Sequence, residues 1–220
     1  MSNRSDGRTG RGTKDVERFG RWAPTYERSA LQRFFLTPIQ TATIAAIGRE
    51  VSEPRAILDI GCGTGVLLRR LSSIYTQAML VGVDAAAGMV GQARSARPEG
   101  QAMRFLEARA EELPFLESSF DLVVSTMSFH HWADQKGGLR EVRRVLLPSG
   151  VFVLTDAIVG PWLSWALSSS NDRIATARGL EVMLAAASLR RKRSVAGPSF
   201  WLRYGCTITV ARPGRAGAGS

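Results

Sequence analysis

At 220 residues, 45% of them hydrophobic, the chain is long enough for one sizeable core and too apolar to be broadly disordered. Its formal charge of +10 invites a polyanionic partner, but the cations stand apart: Arg4, Arg8, Arg11 and Lys14 near one end, Arg190 to Arg193 in a single run, Arg212 and Arg215 near the other. That spread reads as solvated charge and argues against nucleic acid as the partner. With no apolar run of about 18 residues and no signal-peptide pattern, no membrane span is expected and the expected location is cytoplasmic. Two cysteines, Cys62 and Cys206, are too few for a disulfide scaffold, and no His or Cys spacing suits a structural metal.

Residues 1–14 and 212–220 hold too few apolar side chains to offset the entropy of ordering, so they are expected to be a disordered basic leader and a flexible tail around a single domain, 15–211. From 16 to 47 the apolar spacing is helical, with breaks expected at Pro24 and near Pro38; this segment would form an N-terminal helical cap. The period then changes. Short apolar or β-branched runs at 56–60, 79–83, 103–106, 121–125 and 151–155 predict strands, with helices between them at 65–74, 86–97 and 135–147. Residues 157–176, including Trp162 and Trp165, are expected to act as a lid, followed by a helix over 175–189 and two strands over 193–201 and 204–212. Strand–helix repetition of this kind predicts an α/β fold: Rossmann-like and doubly wound, with a mostly parallel seven-stranded sheet and an antiparallel C-terminal edge hairpin. Ligands of such sheets bind beyond the C-terminal ends of the strands, so the loops after 60, 84, 107, 125 and 156 should converge.

The stretch "LDIGCGTG" (58–65) places Gly61, Gly63 and Gly65 directly after the first strand. Glycines there permit a sharp turn and close approach of backbone to ligand. A dinucleotide fingerprint sets its third glycine one position later, where this chain has Val66. Asp59 beside the turn opposes a pyrophosphate, whereas Asp84, closing the second strand, suits the two hydroxyls of a ribose. A ligand with a ribose and an ammonium group but no phosphate accepts both acids, and S-adenosylmethionine fits that description.

With this turn, "VGVDAAAGMVGQAR" (81–94), "AEELPFLESSFDLVVSTMSFHHW" (110–132) and "LREVRRVLLPSGVFVLTD" (139–156), the chain resembles class I S-adenosylmethionine-dependent methyltransferases of the small-molecule branch, such as those of ubiquinone and menaquinone biosynthesis. "FGRWAPTYE" (19–27) is also similar to the start of that branch. The resemblance implies S-adenosyl-L-methionine as cofactor, held by the backbone of Gly61, Cys62, Gly63 and Gly65. It implies that Asp59 orients the amino group, Asp84 clasps the ribose, and Ala85 and Met89 line the adenine pocket. Arg109, Ala110 and Glu111 fall on the loop that meets adenine, and Ser125 closes the fourth strand. Arg109 departs from the pattern: arginine stands where an aspartate is usual and cannot accept the adenine amino proton. It would stack on adenine, or swing out while Glu111 or Glu107 compensates.

In-line methyl transfer depends on alignment and needs a base only for some acceptors. The chain's two histidines, His130 and His131, follow the fourth strand where the acceptor should lie, and His130 is the favoured proton acceptor. Phe129 and Trp132 would wall the acceptor or belong to the core; Phe19, Trp22 and Tyr26 would cap it. The expected partner is a small, planar or hydrophobic acceptor, with O-, C- or N-methylation open, no metal, and a monomer or homodimer. The alternatives are a nucleic-acid methyltransferase and a catalytically silent S-adenosylmethionine-binding regulatory or assembly protein.

Overall fold

The computed structural model describes residues 9–29, 31–159, 175–200 and 204–214. Every position of β1 (Ala56–Ile60) is buried. A strand covered on both faces has no polar side, and this is why the sequence shows an apolar run in place of alternation. β2 (Met79–Asp84), β3 (Met103–Glu107), β4 (Phe120–Thr126) and β5 (Leu146–Val159) join it in a parallel array. A hairpin of β7 (Leu189–Phe200) and β8 (Tyr204–Pro213) completes the order β3-β2-β1-β4-β5-β8-β7, with β8 antiparallel to β5. The expected seven-stranded, mostly parallel sheet with its antiparallel edge hairpin is therefore present. A two-residue β6 (Ala175–Thr176) adds a short parallel pair on β5 that the sequence did not suggest.

Helices cover both faces. α2 (Thr37–Gly48), α3 (Val66–Ser72) and α4 (Ala87–Ser95) pack Ile47, Leu68, Leu71 and Ala93 on one face against Ile57, Leu80, Leu122 and Val124. α5 (Gln135–Val145) and α6 (Ala177–Ala186) pack Leu139, Val142, Leu180 and Leu184 on the other, against Leu58, Val83, Val123 and Phe152. Successive residues of each strand thus serve opposite cores, the period-two consequence of the pleat.

Several boundaries depart from the sequence reading. α1 runs Thr9–Tyr26, so helix begins inside the segment expected to be a disordered leader. It also passes through Pro24 and ends two residues later, because a proline near the last turn removes one backbone donor without stopping the turn already formed. A π-helical turn, Leu31–Leu36, then leads into α2, with Pro38 in the first turn, where its missing N–H costs nothing. β5 is longer than 151–155 and starts directly at the end of α5. The expected lid, 157–176, falls largely outside the described residues, as do Trp162, Trp165, most of the leader and most of the tail.

Part of the basic run serves the fold. Lys192, Arg193 and Arg212 approach the carboxylate of Glu50 at 2.8, 3.1 and 3.6 Å, and the Glu50 side chain is only 4% exposed. Burial alone would push this carboxyl up; the Lys192 hydrogen bond and the three cationic charges bring it below its ordinary value.

Gly65 begins α3 in the left-handed region at φ +80, and a Cβ there would lie 2.6 Å from the Phe105 ring on β3. Gly65 thus provides the close contact of helix and sheet that a dinucleotide fold assigns to its later glycine. Gly63, at φ +54, has open space where a Cβ would project. Urea denaturation is expected to show Gly65→Ala less stable by about 3 kcal/mol and Gly63→Ala by about 1 kcal/mol, the difference reporting the overlap with Phe105.

Candidate active site

Strand order reverses between β1 and β4, and the chain leaves these two strands in opposite directions across the sheet. The crevice this opens is a cavity of about 260 Å³ at the C-terminal ends of β1, β2 and β4. The turn after β1 and the loop after β4 meet on its floor. Gly61 has φ +74, and a Cβ on it would sit 2.3 Å from the Ser128 side chain. The Ser128 hydroxyl donates to the Ile60 carbonyl at 2.9 Å and shares a 2.8 Å hydrogen bond with the Ser125 hydroxyl. Gly61 is needed here both for its backbone angle and for its lack of a side chain.

Two acids occupy one side of the cavity. Asp59 is 2% exposed; burial, and then the negative charge of Asp84, push its carboxyl up to about 8. Asp84 accepts from the Gly63 N–H through Oδ2 and from the Ala86 N–H through Oδ1, both at 2.9 Å. Burial raises its carboxyl too, with these two hydrogen bonds opposing the rise. Tyr26 of α1 lines the same cavity, and its phenol is pushed up to about 12 by burial and by Asp84. Cys62 is buried beside both acids, and burial followed by their charges drives its thiol well above the ordinary value. A thiolate nucleophile is disfavoured there, in keeping with a packing role. Thr64 Oγ1 and Thr126 Oγ1, both on the cavity wall, are buried without a hydrogen-bond partner among the described residues. Buried polar atoms of this kind mark places where a ligand completes the bonding.

Aromatic side chains line the same cavity. His130 and His131 lie in a single 3-10 turn, Phe129–His131, with ring centroids 4.0 Å apart. His130 Nδ1 is 2.7 Å from Asp156 Oδ1, while His131 meets the Phe19 ring edge-on at 5.1 Å. Phe19 comes from α1, which lies so close on α4 that a Cβ on Gly88 would be 2.5 Å from the Gly20 carbonyl oxygen. Trp22 stacks beside Phe19 and meets Tyr26 edge-on, bracing the two residues that reach the cavity. Trp132 lines the cavity and Phe129 packs behind it, 1% exposed, so the expected aromatic wall is one part wall and one part core.

Of the residues singled out in the sequence, Asp59, Gly61, Cys62, Gly63, Asp84, Ala85, Met89, Arg109, Ala110, Glu111, His130 and His131 all line this cavity. Gly65 and Ser125 do not: Gly65 packs on β3, and Ser125 is fully buried behind Ser128. Arg109 pairs with Glu112 in an isolated backbone bridge, and Glu111 accepts from the Asp134 N–H at 2.8 Å, which braces the start of α5. Glu107 is exposed and off the cavity wall. Sequence reasoning passed over Ser128, Thr64, Thr126 and the site partner Asp156. The signal for Asp156 was present: like Asp59 and Asp84, it is a lone acid near the C-terminal end of a buried strand. No set of three or more His, Cys, Asp or Glu gathers as for a metal ion among the described residues.

Comparison with known proteins agrees with this geometry. Residues 58–154 match the methyltransferase domain family. A malonyl-[acyl-carrier protein] O-methyltransferase of Geobacter sulfurreducens is 38% identical over 135 residues, 61% of this chain and 49% of that protein. A demethylmenaquinone methyltransferase of Thermus thermophilus is 40% identical over 104 residues, 47% of each chain. The chain therefore spans about half the length of these relatives. Among solved structures, the 1,6-didemethyltoxoflavin-N1-methyltransferase of Burkholderia thailandensis shares the fold with a TM-score of 0.74, covering 97% of this chain and 93% of that one at 15% identity. Residues 58–154 thus carry a class I S-adenosylmethionine-dependent methyltransferase domain related to small-molecule, menaquinone-type methyltransferases, whose cofactor is S-adenosylmethionine.

The site suits this group. It supplies two buried acids that a cationic ligand would satisfy, glycine backbone for close approach and, among the described residues, two unsatisfied threonine hydroxyls. Because Asp59 is neutral below about 8 and a bound cation favours its charged form, binding should release a proton. Calorimetric titration with S-adenosylmethionine is expected to show affinity rising toward pH 8 and then levelling. With Asp59→Asn, the part of the rise due to this carboxyl should disappear.

Proposed function

We propose that the protein transfers the methyl group of S-adenosylmethionine to a small, planar or hydrophobic metabolite. The observation that carries this reading is one cavity lined both by the acid-flanked glycine turn and by aromatic side chains and the two histidines. In this reading the backbone of Gly61, Cys62 and Gly63 embraces the methionine and sugar portions, Asp59 orients the ammonium group and Asp84 binds the ribose hydroxyls through lone pairs its two backbone donors leave over. Met89 and Ala85 form the apolar side of the adenine pocket. Arg109, exposed at its mouth, stacks on the base in place of a carboxylate contact.

The acceptor lies between Phe19, Trp132 and the two histidines. α1 closes the cavity on that side, excluding water so that acceptor and sulfonium are held in line. Residues 16–47 act as the cap of the domain, fastened from below by Arg69, which donates to the Thr64 carbonyl and to Glu27 at 2.7 Å each. The role of the cofactor is to present an electrophilic methyl group on a positively charged sulfur. The chain's own residues bind, align and desolvate the partners.

We also place the protein in the cytoplasm, without a nucleic-acid partner. No helix among the described residues is long and apolar enough to cross a membrane. Three of the basic side chains outside the N-terminal segment converge on Glu50, away from the cavity.

Asp84→Ala should weaken S-adenosylmethionine binding by about tenfold to a hundredfold, the loss of charge-assisted hydrogen bonds. Isothermal titration against the unaltered protein measures this. Incubation with methyl-labelled S-adenosylmethionine and a bacterial metabolite extract is expected to move label into an organic-soluble small molecule. Label appearing instead in RNA or DNA would overturn the acceptor class.

A further inference from the structure

A second cavity, of about 190 Å³, lies between α2 and the C-terminal hairpin and shares no lining residue with the active-site cavity. Ala42, Ala45, Ala46 and Arg49 border it from α2, at the i, i+3, i+4, i+7 spacing of one helix face. Two cross-strand pairs border it from the hairpin, Arg193 with Val210 and Val195 with Ile208. The alanine side chains are too short to close the gap between helix and hairpin. Ala46, Ile208 and Val210 are buried and give the cavity an apolar floor, while Ala45, Arg49 and Val195 are exposed and leave it open to solvent. Among the described residues, Arg49 and Arg193 are the polar side chains on its wall. Arg193 is held near Glu50 by charge alone: its Nε stands 3.1 Å from the carboxylate, yet Nε and Nη2, both buried, make no hydrogen bond. Lys192 and Arg212 crowd the same carboxylate, so positive charge is in excess at this end of the cavity. A buried guanidinium with unused donors is an open position for an acceptor.

We propose that this cavity is a second ligand site, separate from the one that binds S-adenosylmethionine, and that it takes a small organic monocarboxylate with a compact apolar body. Guanidinium groups donate and cannot accept, so the polar end of the ligand must be an acceptor. The excess of positive charge selects an anion, and a carboxylate matches the paired N–H groups of a guanidinium. The Glu50 carboxylate beside Arg193 limits that anion to a single charge, because it repels a dianion more strongly than a monoanion. The rest of the ligand must be apolar, since Ala46, Ile208 and Val210 offer no side-chain hydrogen bond. An apolar cavity of about 150 Å³ already takes a benzene ring, which sets the size of the body.

Methyl-resolved proton–carbon spectra of the full chain, titrated with benzoate, benzamide and inorganic phosphate, test the site. Benzoate should saturate with a dissociation constant of about a millimolar, the range open to a ligand of its size, and should shift the methyl signals of Ala46, Ile208 and Val210. Benzamide has the same shape without the charge, and phosphate has charge without the apolar body; each should bind at least about tenfold more weakly. Benzamide binding as well as benzoate would remove the preference for an anion, and phosphate binding as well would leave only diffuse surface charge; either result overturns the proposal. Arg193→Gln should weaken benzoate at least about tenfold. Ala45→Leu, which fills the cavity and leaves the ion pairs of Glu50 in place, should do the same. Both variants should bind S-adenosylmethionine within about twofold of the unaltered protein. Undiminished benzoate binding in Ala45→Leu, displacement of benzoate by saturating S-adenosylhomocysteine, or the absence of a saturable shift at Ile208 and Val210 overturns the second site.

Discussion

The meeting of two loops on the cavity floor, the turn after β1 and the loop after β4, is the contact on which the site depends. β1 and β4 are neighbours in the sheet, and the chain departs from them to opposite sides, so a crevice opens where they end. It stays a defined cavity because Gly61 has no side chain and the Ser128 hydroxyl can reach the Ile60 carbonyl. A side chain at 61 would force the loops apart and carry the histidine turn away from the acids. The backbone conformation of one residue thereby couples the acid-lined half of the cavity to the half that carries the histidines.

The two halves are built on opposite electrostatic principles. Asp59 and Asp84 are buried near one another with no ion-pair partner among the described residues, which destabilises their charged forms, and folding tolerates this because Asp84 is held by two backbone donors. An arrangement that costs stability in the free protein favours a cationic ligand that restores the charge balance. On the histidine side the buried acid is Asp156, next to an imidazole and two backbone N–H groups. There the negative charge is directed through a ring toward the cavity. α1 closes over both halves, able to do so because Gly20 and Gly88 let two helix backbones touch.

Much of this was legible along the chain. The five parallel strands could be read because a doubly covered strand shows as an unbroken apolar run, and α5 because its apolar residues fall on one face. Gly61 to Gly65, Asp59 and Asp84 could be read because the turn chemistry is local: strand, glycines and acid lie within a few residues of one another or at the end of the next strand. Boundaries were less legible. α1 runs past Pro24 and back to Thr9 against the low helix propensity of its glycines, threonines and proline, and β5 took residues up to Val159 because β8 and β6 were there to pair with them. Ser125, expected beside the cofactor, is fully buried and shares a hydrogen bond with Ser128, which lines the cavity, a placement that strand position alone does not reveal.

The sequence by itself determined the order of elements, the position of the glycine turn and the two acids beside it, since each depends on side-chain period or on backbone freedom within a short stretch. Only the tertiary structure decided which distant groups meet: Ser128 with Ile60, 68 residues apart, His130 with Asp156, 26 apart, and Thr43 with Thr155, 112 apart. A lone serine or aspartate carries no mark of its partner in one dimension. Its role arises when sheet order and helix packing bring a particular donor within about 3 Å, the range over which a hydrogen bond has force.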